Sequence, residues 1–248
     1  MPPSADPRIA AVPYHSAVVR ITHWLMVVAF FALLISGLEI VISHPRFYWG
    51  EVGNVMTKPA FTLHIPASRD TVPTAYKYVM PDQNGWSRYL HFQAAWLVLL
   101  TGAVYVLASL ANGHFRKDLV PRRGQRDWQA YTHVLREHLH LRRANEDEIH
   151  AYNALQRTAY LAVIFLIFPL MIWTGLAMSP AFTAVAPWSV ELIGGRQTAR
   201  TLHFFLTGAL VFFLVVHVAM IVIAGFRSRM TGMIRGHVQT TETTEERV

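Results

Sequence analysis

Three copies of one short pattern are the clearest candidates for chemistry in this chain: an arginine, a histidine three positions later, and then an aromatic residue. The copies are Arg20-Ile21-Thr22-His23-Trp24, Arg88-Tyr89-Leu90-His91-Phe92 and Arg200-Thr201-Leu202-His203-Phe204. Each copy stands near the start of a long apolar stretch, and the last stretch also holds His217. Because an ionisable side chain inside a hydrocarbon-length segment is costly, these four histidines indicate a functional site.

Four apolar stretches must position these histidines, and we predict them at residues 18–42, 89–110, 159–178 and 201–226. Each can cross a bilayer, which takes about 20 mostly apolar residues. The chain of 248 residues is 53% hydrophobic and 15% charged, with a mean hydropathy of +0.29, whereas soluble domains are about 25% charged. The sequence predicts one all-α membrane domain over residues 1–248, a four-helix transmembrane bundle. Its first stretch is too long for a cleaved signal peptide, and we expect it to be retained as a signal anchor.

The net charge of +7 could indicate nucleic-acid binding, but the distribution of the basic residues favours a membrane topology. Lysine and arginine are concentrated in the connection 112–157 and in the tail 227–248, and they are fewer in the loops 44–87 and 179–197. The positive-inside rule therefore places both termini and the connection in the cytoplasm, and the two loops on the outer side of the membrane. The partner expected for the basic residues is the anionic surface of the lipid bilayer, and no nucleic acid is expected.

The basic connection has one further pattern. Trp128, Tyr131, Leu135 and Leu139 recur at helical spacing within it. This spacing predicts an amphipathic helix lying in the cytoplasmic interface of the membrane, with a structural and a functional role equally open.

Topology sorts the four histidines by depth. The first stretch runs outward and begins with His23, whereas the second runs inward and begins with His91. The fourth stretch also runs inward, so that His203 lies near the outer face and His217 deeper. Fourteen residues separate these two histidines, and at about 100° each they fall roughly 40° short of four turns and rise ~21 Å. One helix can therefore supply a ligand to each of two sites, an outer pair (His91, His203) and an inner pair (His23, His217).

Two histidines at each of two depths suit the two axial positions of a haem iron. Zinc suits them less, because it takes three or four protein ligands. The chain has no cysteine, which excludes covalent haem attachment through Cys-x-x-Cys-His and cysteine-ligated iron–sulfur clusters. The four-helix bundle is therefore predicted to enclose two non-covalently bound b-type haems, with the four histidines as iron ligands.

Arginine and glycine residues are predicted to line the same sites. Arg20, Arg88 and Arg200 each precede a histidine by three positions, so the two side chains share a helix face. An arginine at the headgroup level can pair with a haem propionate, although it can equally mark a membrane boundary. Gly37 follows His23 by 14 positions and should face the outer site. It would give room to a flat ring there, or it would simply permit close helix packing.

At these residues the chain resembles the di-haem cytochrome b subunits of bacterial hydrogenase, formate dehydrogenase and, most closely, thiosulfate-reductase-type enzymes. The resemblance runs from His15 to about Arg229, and its motifs are Arg20-Ile-Thr-His23-Trp24, His44-Pro-Arg-Phe-Tyr-Trp-Gly50, Gly113-His114-Phe-Arg-Lys-Asp118, the run from Gly194 to Phe204, and His217. It implies the ligand pairs that depth alone predicts. It also implies electron transfer between a periplasmic oxidoreductase subunit, molybdopterin-containing in the closest relatives, and membrane quinone.

Three functions remain open at this point. The first is a di-haem electron carrier that links a periplasmic redox partner to the quinone pool, as a subunit of a membrane oxidoreductase. The second is a stand-alone, quinone-linked cytochrome b that oxidises superoxide or another small species, which the long outer loop disfavours modestly. The third is a transporter or structural anchor whose histidines only pack, which four histidines at paired depths make the least favoured.

Overall fold

A computed structural model of the chain describes residues 11–13, 15–54, 56–65, 85–115, 120, 154–223 and 225–239. In chain order the helices are α1 (Ala17–Ser43), α2 (Gly85–Ala111), α3 (Ala154–Ala162), α4 (Phe168–Ala177), α5 (Pro180–Val185), α6 (Trp188–Ile193), α7 (Arg196–Ile223) and α8 (Phe226–Arg235). The strands are β1 (Ala11–Pro13), β2 (Arg46–Phe47), β3 (Phe61–Thr62) and β4 (His237–Gln239). The interfacial helix predicted around Trp128 lies outside the described residues. Residues 66–84 of the outer loop also lie outside them.

The prediction of an all-α bundle with four membrane-spanning helices is confirmed. The helices long and apolar enough to cross a membrane are α1, α2, a third span over Gln156–Ala177, and α7. Their ends differ from the hydropathy-based boundaries, most at α7, which begins at Arg196 and ends at Ile223. Hydropathy predicts the start of α7 too late because its first turn is helical but polar. It predicts the end too far along the chain because Gly225, with a φ of +99°, separates α7 from α8.

The third span changes its helical geometry near the proline at its centre. A π-helical turn over Val163–Ile167 joins α3 to α4, directly before Pro169. Proline has no N–H to donate and its ring clashes with the carbonyl one turn earlier, so a widened turn accommodates it. The disturbance at Pro169 therefore takes the form of a π bulge.

The side chains of the bundle are arranged for lipid rather than for water. Large apolar residues point outward, as with Val28 (64% exposed), Leu100 (61%) and Phe212 (71%). The buried positions of the spans are mostly small or carry a hydroxyl, such as Ser36 and Thr174. This pattern is typical of membrane bundles, where small residues allow close approach and hydroxyl groups bond across helices. In this bundle α1 packs along α2, and α4 packs along α7.

Each end of the bundle has a small sheet of its own. At the first, which we call the terminal end, β1 pairs antiparallel with β4, so that the segments near both chain termini meet. At the other, which we call the loop end, β2 pairs antiparallel with β3, and the short helices α5 and α6 lead into α7. Residues 179–197, predicted as a loop, thus contain the short helices α5 and α6 and belong to the loop end.

Candidate functional site

The four span histidines lie in two pairs at different levels of the bundle. The ring centroids of His91 and His203 are 6.2 Å apart with planes tilted by 56°. Those of His23 and His217 are 6.4 Å apart with planes tilted by 52°. Each pair joins α7 to a helix of the first half of the chain, α2 near the loop end and α1 near the terminal end.

The geometry of both pairs fits a metal with two axial imidazole ligands. Separations of this size occur in ordinary aromatic contacts, but they also suit two rings on opposite sides of one ion, since a metal–imidazole bond is about 2 Å. Within the described part of the chain, no group of three or more His, Cys, Asp or Glu residues could hold a metal ion. A two-histidine donor set fits haem, whose macrocycle supplies the remaining ligands, better than it fits zinc.

A serine on α1 contacts the ring of His91. The Ser36 hydroxyl lies 3.0 Å from His91 Nδ1 and 2.6 Å from the carbonyl oxygen of Ala32. Ser36 is fully buried between the two helices. This contact engages Nδ1 and leaves Nε2 as the ring nitrogen available to a metal.

A threonine on α4 makes the equivalent contact with the ring of His203. Its hydroxyl, Thr174 Oγ1, lies 2.8 Å from His203 Nδ1 and 2.9 Å from the carbonyl oxygen of Leu170. Thr174 is 1% exposed. Sequence reasoning missed both hydroxyl residues, although each stands directly before a mid-span glycine, Gly37 or Gly175, and that pattern could have revealed them.

The glycines next to these hydroxyls lie against the same histidine rings. A Cβ added to Gly37 would sit 3.5 Å from His91 Cε1, and one added to Gly175 would sit 3.5 Å from His203 Cε1. Both distances are ordinary van der Waals contacts. Gly37 therefore lies beside the ring of His91, but that ring alone does not require a glycine there.

The His23–His217 pair has a different environment. The Tyr160 hydroxyl lies 3.4 Å from His217 Nδ1, which is at the long limit of a hydrogen bond. The ring of Phe213 stacks on that of His217, with centroids 5.7 Å apart and planes 15° apart. His23 Nδ1 is buried and has no hydrogen-bond partner among the described residues. The second pair is thus held mainly by ring packing.

The arginine predicted beside His203 anchors the loop end. Arg200 donates from its guanidinium to the carbonyl oxygen of His44 and lies 5.0 Å above the ring of Phe47. The side chain of His44 is partly exposed. Desolvation nevertheless lowers the pKa of His44, and the positive charges of Arg200 and Arg88 lower it further. Arg88 and Arg200, two of the three arginines singled out in the sequence, therefore both act electrostatically on His44 at the loop end.

The third arginine, Arg20, lies at the terminal end. Its guanidinium donates to the carbonyl oxygen of Ile234 at 2.8 Å, and the indole of Trp24 donates to that of Met233 at 3.3 Å. Both acceptors lie near the end of α8. The first copy of the motif thus fastens α8 to the start of α1, a contact that the sequence pattern did not predict.

The segment after α1 forms a clamp around the start of α7. The Gly50 carbonyl accepts from Gln197 and Thr198 N–H at 3.0 and 3.2 Å, and the Glu51 carboxylate accepts from Arg196 N–H at 2.8 Å. These groups satisfy N–H donors that a helix start leaves without intrahelical partners, and the negative charge suits the helix dipole. We call this set, together with Gly195, the α7 clamp.

Two further contacts extend the α7 clamp toward His203. Thr201 is fully buried, and its hydroxyl donates to the Tyr48 carbonyl at 2.7 Å. The ring of Phe47 stacks on Phe61 at 4.6 Å between centroids and contacts Phe204 at 4.6 Å. The motifs around His44 and Gly194, which lie far apart in sequence, therefore contact each other at Thr201 and Phe204, on either side of His203 in the sequence.

Comparison with known proteins identifies the family. The profile of the prokaryotic cytochrome b561 family matches residues 14–236. The chain is 30% identical over 228 residues, 90% of this chain and 96% of the relative, to a putative protein-methionine-sulfoxide reductase subunit YedZ1 of Azospira oryzae. It is 26% identical to a probable Ni/Fe-hydrogenase B-type cytochrome subunit of Cupriavidus necator, over 92% of this chain and 87% of the relative. A protein of the same name from Bradyrhizobium diazoefficiens is 24% identical, over 91% of this chain and 85% of the relative.

The chain therefore belongs to the prokaryotic cytochrome b561 family, and the prediction of a bacterial membrane cytochrome b is confirmed. Its four apolar helices make it a multi-pass membrane protein. Membership of the family implies a b-type haem.

Proposed function

We propose that this cytochrome holds two b-type haems, one between His91 and His203 and one between His23 and His217, and carries electrons across the bacterial inner membrane. The electrons would pass between a periplasmic oxidoreductase subunit and membrane quinone. The single observation that carries the proposal is the presence of two separate histidine pairs at two levels of one bundle, with α7 contributing to both. Haem, when bound, supplies reversible one-electron chemistry.

The residues of the chain have three tasks in this function. The four histidines hold the two groups and set their separation along α7. Outward-facing apolar side chains such as Phe212 keep the bundle in lipid, and a dry interior strengthens electrostatic interactions near the sites. Arg88 and Arg200 at the loop end, and Arg20 at the terminal end, are proposed to offer positive charge to haem propionates. Gly37 is proposed to give space beside the outer site.

The proposed orientation puts the terminal end in the cytoplasm. The pairing of β1 with β4 supports a common location for both chain termini, and the basic residues favour the cytoplasmic side. The loop end with the His91–His203 pair would then face the periplasm. The relatives named above are subunits of a protein-methionine-sulfoxide reductase and of hydrogenases, which supports a redox enzyme as the partner; a molybdopterin cofactor in that partner is part of the proposal.

The haem stoichiometry tests the core of this proposal. Protein purified after expression with ample haem supply should give a pyridine haemochrome value of two haems per chain. His203→Ala should lose only the haem near the loop end, and His217→Ala only the other. His64→Ala is a matched control, because His64 is exposed in the segment after β3, and it should keep both. One haem per chain, or the loss of both in each span variant of well-folded protein, would contradict the proposed pairing.

Partner and substrate are tested separately from the haems. Stoichiometric co-purification with a periplasmic redox subunit, together with quinone-dependent oxidation or reduction of the bound haems, is the expected result. Quinone-linked superoxide turnover by the isolated chain, with no partner captured, would instead favour the stand-alone cytochrome.

A further inference from the structure

The two helix pairs of the bundle repeat one arrangement at the His91–His203 site. On α1 the sequence Ser36-Gly37 lies against the ring of His91, and on α4 the sequence Thr174-Gly175 lies against that of His203. In each case the hydroxyl oxygen meets Nδ1 and the next residue has no side chain. The repetition on two unrelated helix segments argues against a chance packing contact.

The hydrogen bonds fix which atom donates. The Ser36 hydroxyl has the Ala32 carbonyl oxygen at 2.6 Å, and Thr174 has the Leu170 carbonyl oxygen at 2.9 Å. A carbonyl oxygen can only accept, so each hydroxyl donates its proton along its own helix and keeps its lone pairs for a second partner. A buried imidazole nitrogen at 2.8–3.0 Å then makes a hydrogen bond only if it carries a proton itself.

Backbone carbonyls reinforce this assignment. The Ser36 hydroxyl also lies 3.2 Å from the Leu33 carbonyl oxygen, and the Thr174 hydroxyl lies 3.0 Å from that of Met171. Both carbonyls belong to the turn that precedes the hydroxyl residue. Each hydroxyl thus has carbonyl oxygens of its own helix to donate to and serves as an acceptor for Nδ1, and the neutral ring with its proton on Nδ1 satisfies this contact.

We propose that Ser36 and Thr174 are positioning residues that hold the protons of His91 and His203 on Nδ1 and present both Nε2 atoms as metal ligands. The inference rests on the proposed function, since it assumes that this pair holds a haem. It goes further in one respect, because it makes the two sites chemically unequal. Within the described part of the chain, His217 Nδ1 has the long contact with Tyr160 as its hydrogen-bond contact, and His23 Nδ1 has no partner.

The inequality has a direction. When the ring nitrogen that does not bind the metal donates its N–H to a hydrogen bond, the ligating histidine becomes more basic and its orientation is fixed. A more basic ligand stabilises the more highly charged, oxidised metal. Removal of the hydroxyl acceptor should therefore raise the midpoint potential of the haem held by His91 and His203 and leave the other unchanged.

The test compares two sets of variants of the purified holoprotein. Ser36→Ala and Thr174→Val remove the acceptor, whereas Ser36→Thr and Thr174→Ser keep a hydroxyl at the same place. Redox titration followed at the haem α-band should resolve two components in every protein. We expect one component to move to higher potential in the first set, further in the double variant, and to return toward the parent value in the second set. The component that moves should be the one missing from His203→Ala.

Haem content separates this inference from the proposed function. Two haems per chain with one shifted component support both, and a parent protein with fewer than two haems would overturn the proposed function directly. Two haems with no shift in Ser36→Ala, Thr174→Val and the double variant would overturn the inference alone. Equal movement of both components would also overturn it, and so would haem loss in Ser36→Thr as severe as in Ser36→Ala, because the hydroxyl would then not be the determinant.

Discussion

The α7 clamp predicts a large difference between two glycine substitutions that look alike in sequence. Gly195 and Gly50 both have left-handed backbone conformations, with φ of +105° and +89°. An alanine at either position costs roughly 1–2 kcal/mol for that conformation. A Cβ at Gly195 would also collide with the carbonyl carbon and oxygen of Gly50 and lie 2.6 Å from Glu51 N, whereas one at Gly50 has open space within 4 Å.

The collision sets the size of the difference. Overpacking against rigid neighbours costs about 1–3 kcal/mol, and the atoms here are backbone that α7 itself holds by hydrogen bonds. Gly195→Ala should therefore be less stable than Gly50→Ala by about 1–3 kcal/mol, or roughly 5- to 150-fold in the unfolding equilibrium. Because the strain term is common to both variants, the comparison isolates the contact between the two segments.

The assay is unfolding of the holoprotein in mixed micelles by stepwise addition of a denaturing detergent, followed by haem absorbance and tryptophan fluorescence. We expect Gly195→Ala to unfold at a lower detergent fraction than Gly50→Ala, and the haem proposed at the His91–His203 pair should be released first. If the two variants unfold within about 0.5 kcal/mol of each other, which is the range of an ordinary surface substitution, the clamp does not hold the start of α7.

Three further predictions follow from single contacts. Thr201→Val leaves the buried Tyr48 carbonyl without its hydroxyl donor and should lose about 1–3 kcal/mol in the same unfolding assay, whereas Thr201→Ser should retain most of the stability. Arg88→Gln and Arg200→Gln remove positive charge at the loop end and should lower the midpoint potential of the haem proposed at the His91–His203 pair more than that of the haem proposed at the His23–His217 pair. A titration showing the reverse order would contradict the proposed propionate role. Arg20→Ala removes the hydrogen bond to the end of α8 and should speed tryptic cleavage within α8 several-fold, while Arg88→Ala, at the other end of the bundle, should not.

The level of each histidine along the bundle could be predicted from the sequence because it depends only on hydropathy and helical rise. A span of the right length fixes where its first and last turns lie, and a separation of 14 residues on α7 fixes which face His203 and His217 share. Neither quantity requires knowledge of which helices are neighbours. The same reasoning found Gly37, because its position relative to His23 repeats that separation.

The hydroxyl contacts could not be predicted in this way, because they depend on which helices pack together and on their register. Ser36 reaches His91 across 55 residues of chain, and the Gly50 N–H donates a hydrogen bond to the Thr198 hydroxyl across 148. Hydropathy treats Ser36 and Thr174 as neutral interruptions of an apolar stretch. Only the packing of α1 on α2, and of α4 on α7, turns them into acceptors for an imidazole.

The two ends of α7 are held by different means, and this difference reaches the two histidine pairs. At its start the α7 clamp provides backbone hydrogen bonds, a carboxylate and a buried hydroxyl within two turns of His203. At its end the helix stops at Ile223, and Gly225 precedes the short α8, whose contacts with the first turns of α1 come from Arg20 and Trp24. His203 is thus held by Thr174 and lies two residues from Thr201 of the extended α7 clamp, whereas His23 adjoins Trp24, whose indole joins α1 to α8.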